Sequence, residues 1–235
     1  MRQIDVIFRH NEVIEESLKG KHAIIIDVLR ATSVLTTALS NGAKSVRTVL
    51  EVAQAFEIQK THPKVILAGE RDAVIVEGFH FGNSPLNMTS ENISGKHLVM
   101  CTSNGTKAVA AAQKAEKIWA AALINLQTVA NQLLKENLDI SIICSGTLGH
   151  FSLDDVWAAG LLVNRLLAQE TFSLSDSAQM ASIATQNNPE PTEALKDCYH
   201  LNLLLSKGFQ KDVDYCLSLD ILNVIPKWTG DRFVV

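Results

Sequence analysis

"HAIIIDVLRATSVLTTALS", residues 22–40, is the stretch on which the fold turns. Its first part, HAIIIDVL (22–29), holds three consecutive isoleucines and shows no polar alternation. A short β-branched run of that kind reads as a strand buried on both faces, the pattern of a parallel sheet covered by helices. The second part, RATSVLTTALS (30–40), takes up a helical period and is closed by Asn41-Gly42. A fully buried strand running straight into a helix is the repeating unit of an α/β protein.

The same unit recurs outward from there. Strands are expected at 43–50, 64–70, 96–103, 116–123 and 139–146, and helices at 51–62, 105–115, 126–137 and 152–170. This β-α-β alternation predicts a three-layer α/β/α fold with a mainly parallel or mixed sheet. The last third changes character. Residues 175–186 and 191–209 read as helices, with Pro191 suited to a first turn and Gly208 to a stop. Short strands follow around Thr229-Gly230. Residues 71–94 form the longest stretch without a pattern, the kind of loop that often carries function.

Composition narrows the class. The chain has 235 residues, 47% of them hydrophobic and 20% charged, which suffices for one sizeable core. The expectation is a single domain over 1–235. A formal net charge of −4 argues against a nucleic-acid partner. The four cysteines, 101, 144, 198 and 216, include no C-x-x-C pair, so reduced thiols are expected. No apolar run approaches the roughly 20 residues of a membrane span. The first residues lack a signal-peptide core. A cytoplasmic protein with no membrane partner is expected.

Function is suggested by three junctions of one kind. The strand at 22–29 runs into DVLRATS, that at 96–101 into CTSNGTK, and that at 139–144 into CSGTLGHFSLDD. In an open parallel sheet such junctions lie along the carboxyl edge, where ligands bind. Helix starts there carry unpaired N–H groups and favour anions, phosphate above all. Neither G-x4-G-K-[ST] nor G-x-G-x-x-G is present, so a nucleotide-hydrolysing or dinucleotide enzyme loses ground.

Two carboxylates stand at strand ends. Asp27 sits among Ile24, Ile25, Ile26, Val28 and Leu29, where an unpartnered charge is costly. Glu70 follows VILAG in the same way. Both are candidate Mg²⁺ ligands, since Mg²⁺ takes one or two carboxylates beside substrate phosphates. The plain alternative for Asp27 is an ion pair with Arg30. Asp154 and Asp155 follow Ser152 at a helix start, and Asp155 fits a capping box.

Cys144 and His150 resemble a Cys-x5-Arg phosphatase loop whose arginine is missing. A thiol phosphatase would need a lowered thiol pKa and no metal. A non-enzymatic binder of a phosphorylated metabolite is a further alternative. Asp27 speaks against it, because a carboxylate facing a phosphate repels it unless a cation intervenes.

The segments IDVLRATSVLTTAL (26–39), AGERD with GFHFGNSP (68–85), TSNGTKA (102–108), CSGTLGHFSLDDVWAAG (144–160) and CLSLDILNVIP (216–226) together resemble the 2-phosphosulfolactate phosphatase family. They run in order over nearly the whole chain. The resemblance implies a Mg²⁺-dependent phosphatase that converts (2R)-2-phospho-3-sulfolactate to sulfolactate and phosphate, in coenzyme M biosynthesis or sulfolactate production. It also implies an α/β fold divided between two lobes, the second expected near residue 95. Position 150 departs from the family pattern, with histidine where arginine is common. Position 154 departs too, with aspartate where glutamate is common.

The expected site follows. Asp27 and Glu70 hold Mg²⁺, and Arg30 supplies fixed charge. Thr32, Ser33, Thr102, Ser103, Asn104, Gly105, Thr106, Ser145, Gly146 and Thr147 cradle the phosphoryl group. Arg71, Lys107 and His150 meet the acidic ends of the substrate. Another small phosphorylated acid as substrate stays open. The apolar C-terminal segment is where a homodimer would form.

Overall fold

The computed structural model describes residues 1–186 and 190–235. Its strands are β1 (Gln3–Ile7), β2 (Lys21–Ile26), β3 (Ser45–Thr48), β4 (Ile66–Arg71), β5 (Val74–Ile75), β6 (His97–Cys101), β7 (Lys117–Ala121), β8 (Asp139–Cys144), β9 (Ser173–Leu174), β10 (Lys227–Trp228) and β11 (Phe233–Val234). The α-helices are α1 (Ala31–Ser40), α2 (Val52–Thr61), α3 (Ser90–Ile93), α4 (Gly105–Ala111), α5 (Leu126–Leu133), α6 (Leu153–Leu167), α7 (Asp176–Gln186), α8 (Pro191–Ala194), α9 (Tyr199–Ser206) and α10 (Gln210–Cys216).

The strands form one mixed sheet in the order β5-β4-β6-β3-β11-β10-β7-β2-β8-β1-β9. β7, β2, β8, β1 and β9 are mutually parallel, with Ile24 opposite both Trp119 and Ile142. β4, β6 and β3 form a second parallel set. The hairpin β10–β11 pairs antiparallel with β7 on one side and β3 on the other. A sheet this long does not stay flat, since strand twist of roughly 20–25° per step accumulates. Residues that follow strands of both sets line one cleft.

The isoleucine run behaves as a doubly buried strand should. Ile24 and Ile26 face a core with Ile4, Val6, Ile140 and Ile142 under α5 and α6. Ala23 and Ile25 face the opposite core with Val34, Ala38, Ala108 and Val109 of α1 and α4. The three layers are therefore visible within one strand. All three isoleucines are fully buried, each worth roughly 1.5–3 kcal/mol. A third, smaller core under α2 joins Ala55, Leu67, Phe79 and Val99.

Two expectations change, and one element was not foreseen: the N-terminal segment is a strand, β1, between β8 and the edge strand β9. The helix expected over 191–209 is broken into α8 and α9, and α10 follows. The pattern-free loop carries β5 and α3, and Asn83 within it is buried. No helix among the described residues is long and apolar enough to cross a membrane.

Candidate active site

A cavity of about 280 Å³ opens where β2, β4, β6 and β8 end. Asp27, Arg30, Glu70, Thr102, Ser103, Asn104 and Thr147 line it, so all the expected junctions converge there. Its far wall is α9, with Tyr199, His200, Leu203, Leu204 and, just past the helix, Lys207. Asp72 and Asn83 come from the long loop.

Asp27 is held rather than loose. Its Oδ1 accepts from the Ala31 N–H at 2.9 Å, and its backbone carbonyl accepts from the Thr32 N–H and hydroxyl. Oδ2 is left for the cleft, beside the start of α4. That approach needs Gly105, where a Cβ would lie 2.6 Å from Ala31 Cβ and 2.8 Å from Asp27 Oδ2. Burial pushes Asp27 up to about 6, opposed by the Ala31 bond, and the charges of Asp154 and Glu70 add to the rise. Arg30 does not pair with Asp27. Its Nη1 donates to Asp212 Oδ1 at 3.1 Å, and its guanidinium stacks 4.0 Å from the Phe209 ring centre. The Leu29–Arg30 peptide is cis.

Glu70 fastens the neighbouring junction. Its Oε1 accepts from the Ser103 N–H, and Oε2 from the Ala73 N–H, both at 2.9 Å. The Ser103 hydroxyl also reaches Oε2.

Asp155 does the same between β2 and β8. Its Oδ1 accepts from the Val28 N–H at 2.9 Å and Oδ2 from the Gly146 N–H at 3.0 Å. Burial, with the charges of Asp154 and Asp27, pushes it well above the carboxylate range. The expected capping box is therefore not formed, because both carboxylate oxygens of Asp155 are spent across the sheet edge. Two backbone bonds of this kind contribute roughly 0.5–1.5 kcal/mol each.

These bonds correct the expected cradle. The N–H groups of Ala31, Thr32, Ser103 and Gly146 are already taken by the protein's own oxygens. The Thr147 N–H pairs with His150 O. Thr32 and Ser33 are buried and turn their hydroxyls back onto the carbonyls of Asp27 and Val28. Thr106 likewise bonds Thr102 O, and the buried Ser145 hydroxyl has no partner among the described residues. The groups left facing the cavity are the side chains of Arg30, Asn83, Thr102, Ser103, Asn104, Thr147, His200 and Lys207.

The three residues expected to meet the substrate's acidic ends do not line this cavity. Arg71 donates to Glu70 O, Leu50 O and Cys101 Sγ, because the antiparallel turn into β5 carries it outward. Lys107 points to solvent from α4. His150 lies in a neighbouring cleft with Phe151 and Asp197, while Leu148 ends up between the two. Lys207 is an exposed cation that does line the cavity, and its ammonium also reaches Asp72 O.

Cys144 is fully buried, and burial pushes its thiol far up, with Asp155 and Asp154 adding to it. A thiolate nucleophile needs the opposite. All four cysteines are free and buried.

The donors present bear on Mg²⁺. Among the described residues no group of three or more His, Cys, Asp and Glu side chains is set to hold a metal. Two carboxylates on one cavity, with the rest of the shell from water and phosphate, still match the usual Mg²⁺ pattern. Asp27 Oδ2 lies beside the start of α4, while Oδ1 is held by the Ala31 N–H. The donor set fits on these grounds.

His200 and Asp212 were not anticipated. Both come from a segment whose helical period says nothing of what it docks against, and a lone histidine or aspartate in it has no motif around it.

A family model described as 2-phosphosulpholactate phosphatase matches residues 7–231. Curated relatives named "Probable 2-phosphosulfolactate phosphatase" cover nearly the whole chain. The one from Clostridium novyi is 41% identical over 227 residues, spanning 96% of this chain and 97% of the relative. That from Clostridium perfringens (strain 13 / Type A) is 40% identical over 227 residues, at 95% and 92% coverage. That from Clostridium acetobutylicum is 37% identical over 234 residues, at 99% and 100%.

Proposed function

The chain belongs to the 2-phosphosulfolactate phosphatase family, and from that premise we propose that it hydrolyses (2R)-2-phospho-3-sulfolactate to 3-sulfolactate and phosphate in a Mg²⁺-assisted reaction. The observation that carries the reading is one cavity in which two strand-end carboxylates, Asp27 and Glu70, face a buried arginine, Arg30.

Asp27 and Glu70 would hold the metal. Bound there, Mg²⁺ supplies neutralisation of phosphate charge and polarisation of water or the leaving oxygen. Arg30 binds the phosphoryl oxygens with its free N–H groups, its plane fixed between Asp212 and Phe209. Phosphoryl transfer depends chiefly on this kind of positioning and charge stabilisation. The hydroxyls of Ser103 and Thr147 and the amide of Asn104 orient the phosphate from the two sides. Lys207, at the open end, meets the sulfonate or carboxylate. The apolar side chains of Leu203 and Leu204 exclude water from the wall between.

The test is phosphate release from a panel of small phosphorylated acids, with and without EDTA. The expected result is a strong preference for 2-phospho-3-sulfolactate and loss of turnover on chelation, restored by added Mg²⁺. Undiminished turnover in EDTA removes the metal from the proposal. Preference for a phosphorylated acid without sulfonate changes the substrate and keeps the reaction.

A further inference from the structure

The cavity contains a histidine, a side chain suited to moving a proton, and nothing above gives it a task. His200 lies on the first turn of α9 and its side chain is 17% exposed, into the cleft that holds Asp27, Arg30 and Thr147. Its Nδ1 faces the protein. It lies 3.0 Å from Thr147 Oγ1 and 3.7 Å from Asp154 Oδ2. That leaves Nε2 as the nitrogen for a ligand.

Asp154 explains the arrangement. It is completely buried, and its Oδ1 accepts from the Ser152 hydroxyl and meets the Cys198 thiol. Its Oδ2 is buried with no hydrogen-bond partner among the described residues. A buried carboxylate in that state is costly unless a charge lies opposite, and the group opposite Oδ2 is the His200 imidazole. Burial works against charge on both residues. Burial is the largest influence on each, but the contact between them and the neighbouring hydrogen bonds and charges together outweigh it, so Asp154 lies below the ordinary carboxylate value and His200 above the ordinary imidazole value. Asp27 also favours the imidazolium, while Arg30, across the same cleft, opposes it. Lys207 lies at the cavity's open end, and His150 and Asp197 bound the adjoining cleft.

We infer that His200 is the general acid that protonates the leaving oxygen of the phosphomonoester, and that Asp154 is the positioning residue that keeps its imidazole turned and charged. The inference rests on the phosphatase reading of the same cavity. A secondary alkoxide is a poor leaving group, and a positioned acid typically contributes 10²–10⁴-fold. Arg30 cannot give up its proton, and Lys207 is exposed and bound to a carbonyl. As oxygen of the attacking water bonds to phosphorus, the bond from phosphorus to the bridging oxygen breaks. Its electron pair stays on that oxygen, and the Nε2 proton moves there to make the product hydroxyl. The proton shed by the water enters solvent, from which the imidazole is recharged.

The experiment compares leaving groups. Wild type, His200→Gln and Asp154→Asn are assayed on 2-phospho-3-sulfolactate, with an alkoxide leaving group, and on 4-nitrophenyl phosphate, whose phenolate needs no acid. For His200→Gln, kcat on the alkyl ester is expected to fall about 10²–10³-fold and on the aryl ester less than about tenfold. Wild-type kcat on the alkyl ester is expected to fall as pH rises through the His200 pKa, above 6.5, and the variant to lose that limb. Asp154→Asn is expected to move the limb to lower pH. Equal losses on both esters, or an unchanged pH limb, overturn the general acid while leaving the phosphatase intact. Wild type inert on both esters overturns the phosphatase itself. Thermal melts of each variant separate misfolding from lost chemistry, and 4-nitrophenyl phosphate turnover by His200→Gln reports a folded site directly.

Discussion

Two clefts at opposite ends of the strands differ in character, and the smaller one is the candidate site. The larger, about 940 Å³, lies at the amino ends of β3, β4 and β6. Lys44, Arg47, Lys64, Lys96 and Arg232 surround it, with His62, His80 and His97. Its charges are exposed or half-exposed, and those that pair do so at the surface, as Arg47 and Arg232 do with Asp231. The cavity of about 280 Å³ at the carboxyl ends holds Asp27, Arg30 and Glu70, each less than a tenth exposed. Volume and net positive charge would choose the first cleft. Burial of opposed charges chooses the second, because water weakens an exposed charge and a low-dielectric wall strengthens a buried one. Strained ionisation is held where chemistry needs it.

The contrast is broken most directly at Asp27. Asp27→Asn keeps an oxygen for the Ala31 N–H and is expected to fold, while phosphate release falls about 10³-fold; circular dichroism and a turnover assay together check both halves. A smaller effect is expected at Arg30. Lysine there loses the planar fork, the stacking on Phe209 and the geometry toward Asp212, and kcat/KM should fall about 10²-fold. The least effect is expected in the larger cleft: Lys44→Ala combined with Lys96→Ala should leave turnover within about twofold, as for surface changes remote from a site. A large loss from that double change would mean that the two clefts communicate.

How much of this could be read in advance differs along the chain. The buried strand at 22–29, the helix after it and the convergence of the junctions follow from local pattern, since burial on both faces leaves no other arrangement for three isoleucines. β1 has a weaker signal, because Gln3 and Asp5 interrupt its apolar positions Ile4 and Val6 in a strand of only five residues. The site was half visible. Strand-end Asp27 and Glu70 announce themselves by the cost of burying them. The roles of Asp154, His200 and Asp212 depend on how α9 and α10 lie across the cleft, and that is set by tertiary packing. Part of the expected phosphate cradle was misjudged for a related reason: the N–H groups of Ala31, Ser103 and Gly146 looked free, and the carboxylates placed beside them had already used them.

The close approach at Gly105 has an evolutionary consequence. The starts of α1 and α4 meet there at a distance that excludes even a methyl group. Position 105, behind Asp27, therefore cannot take a side chain that would reshape that side of the cavity. Variation in what the cavity accepts has to come from the opposite wall, where Tyr199, Leu203 and Lys207 project from α9 and its end. Relatives that diverge in substrate should then share Gly105 and differ in this short segment, and a laboratory library aimed at new phosphate esters should be confined to it.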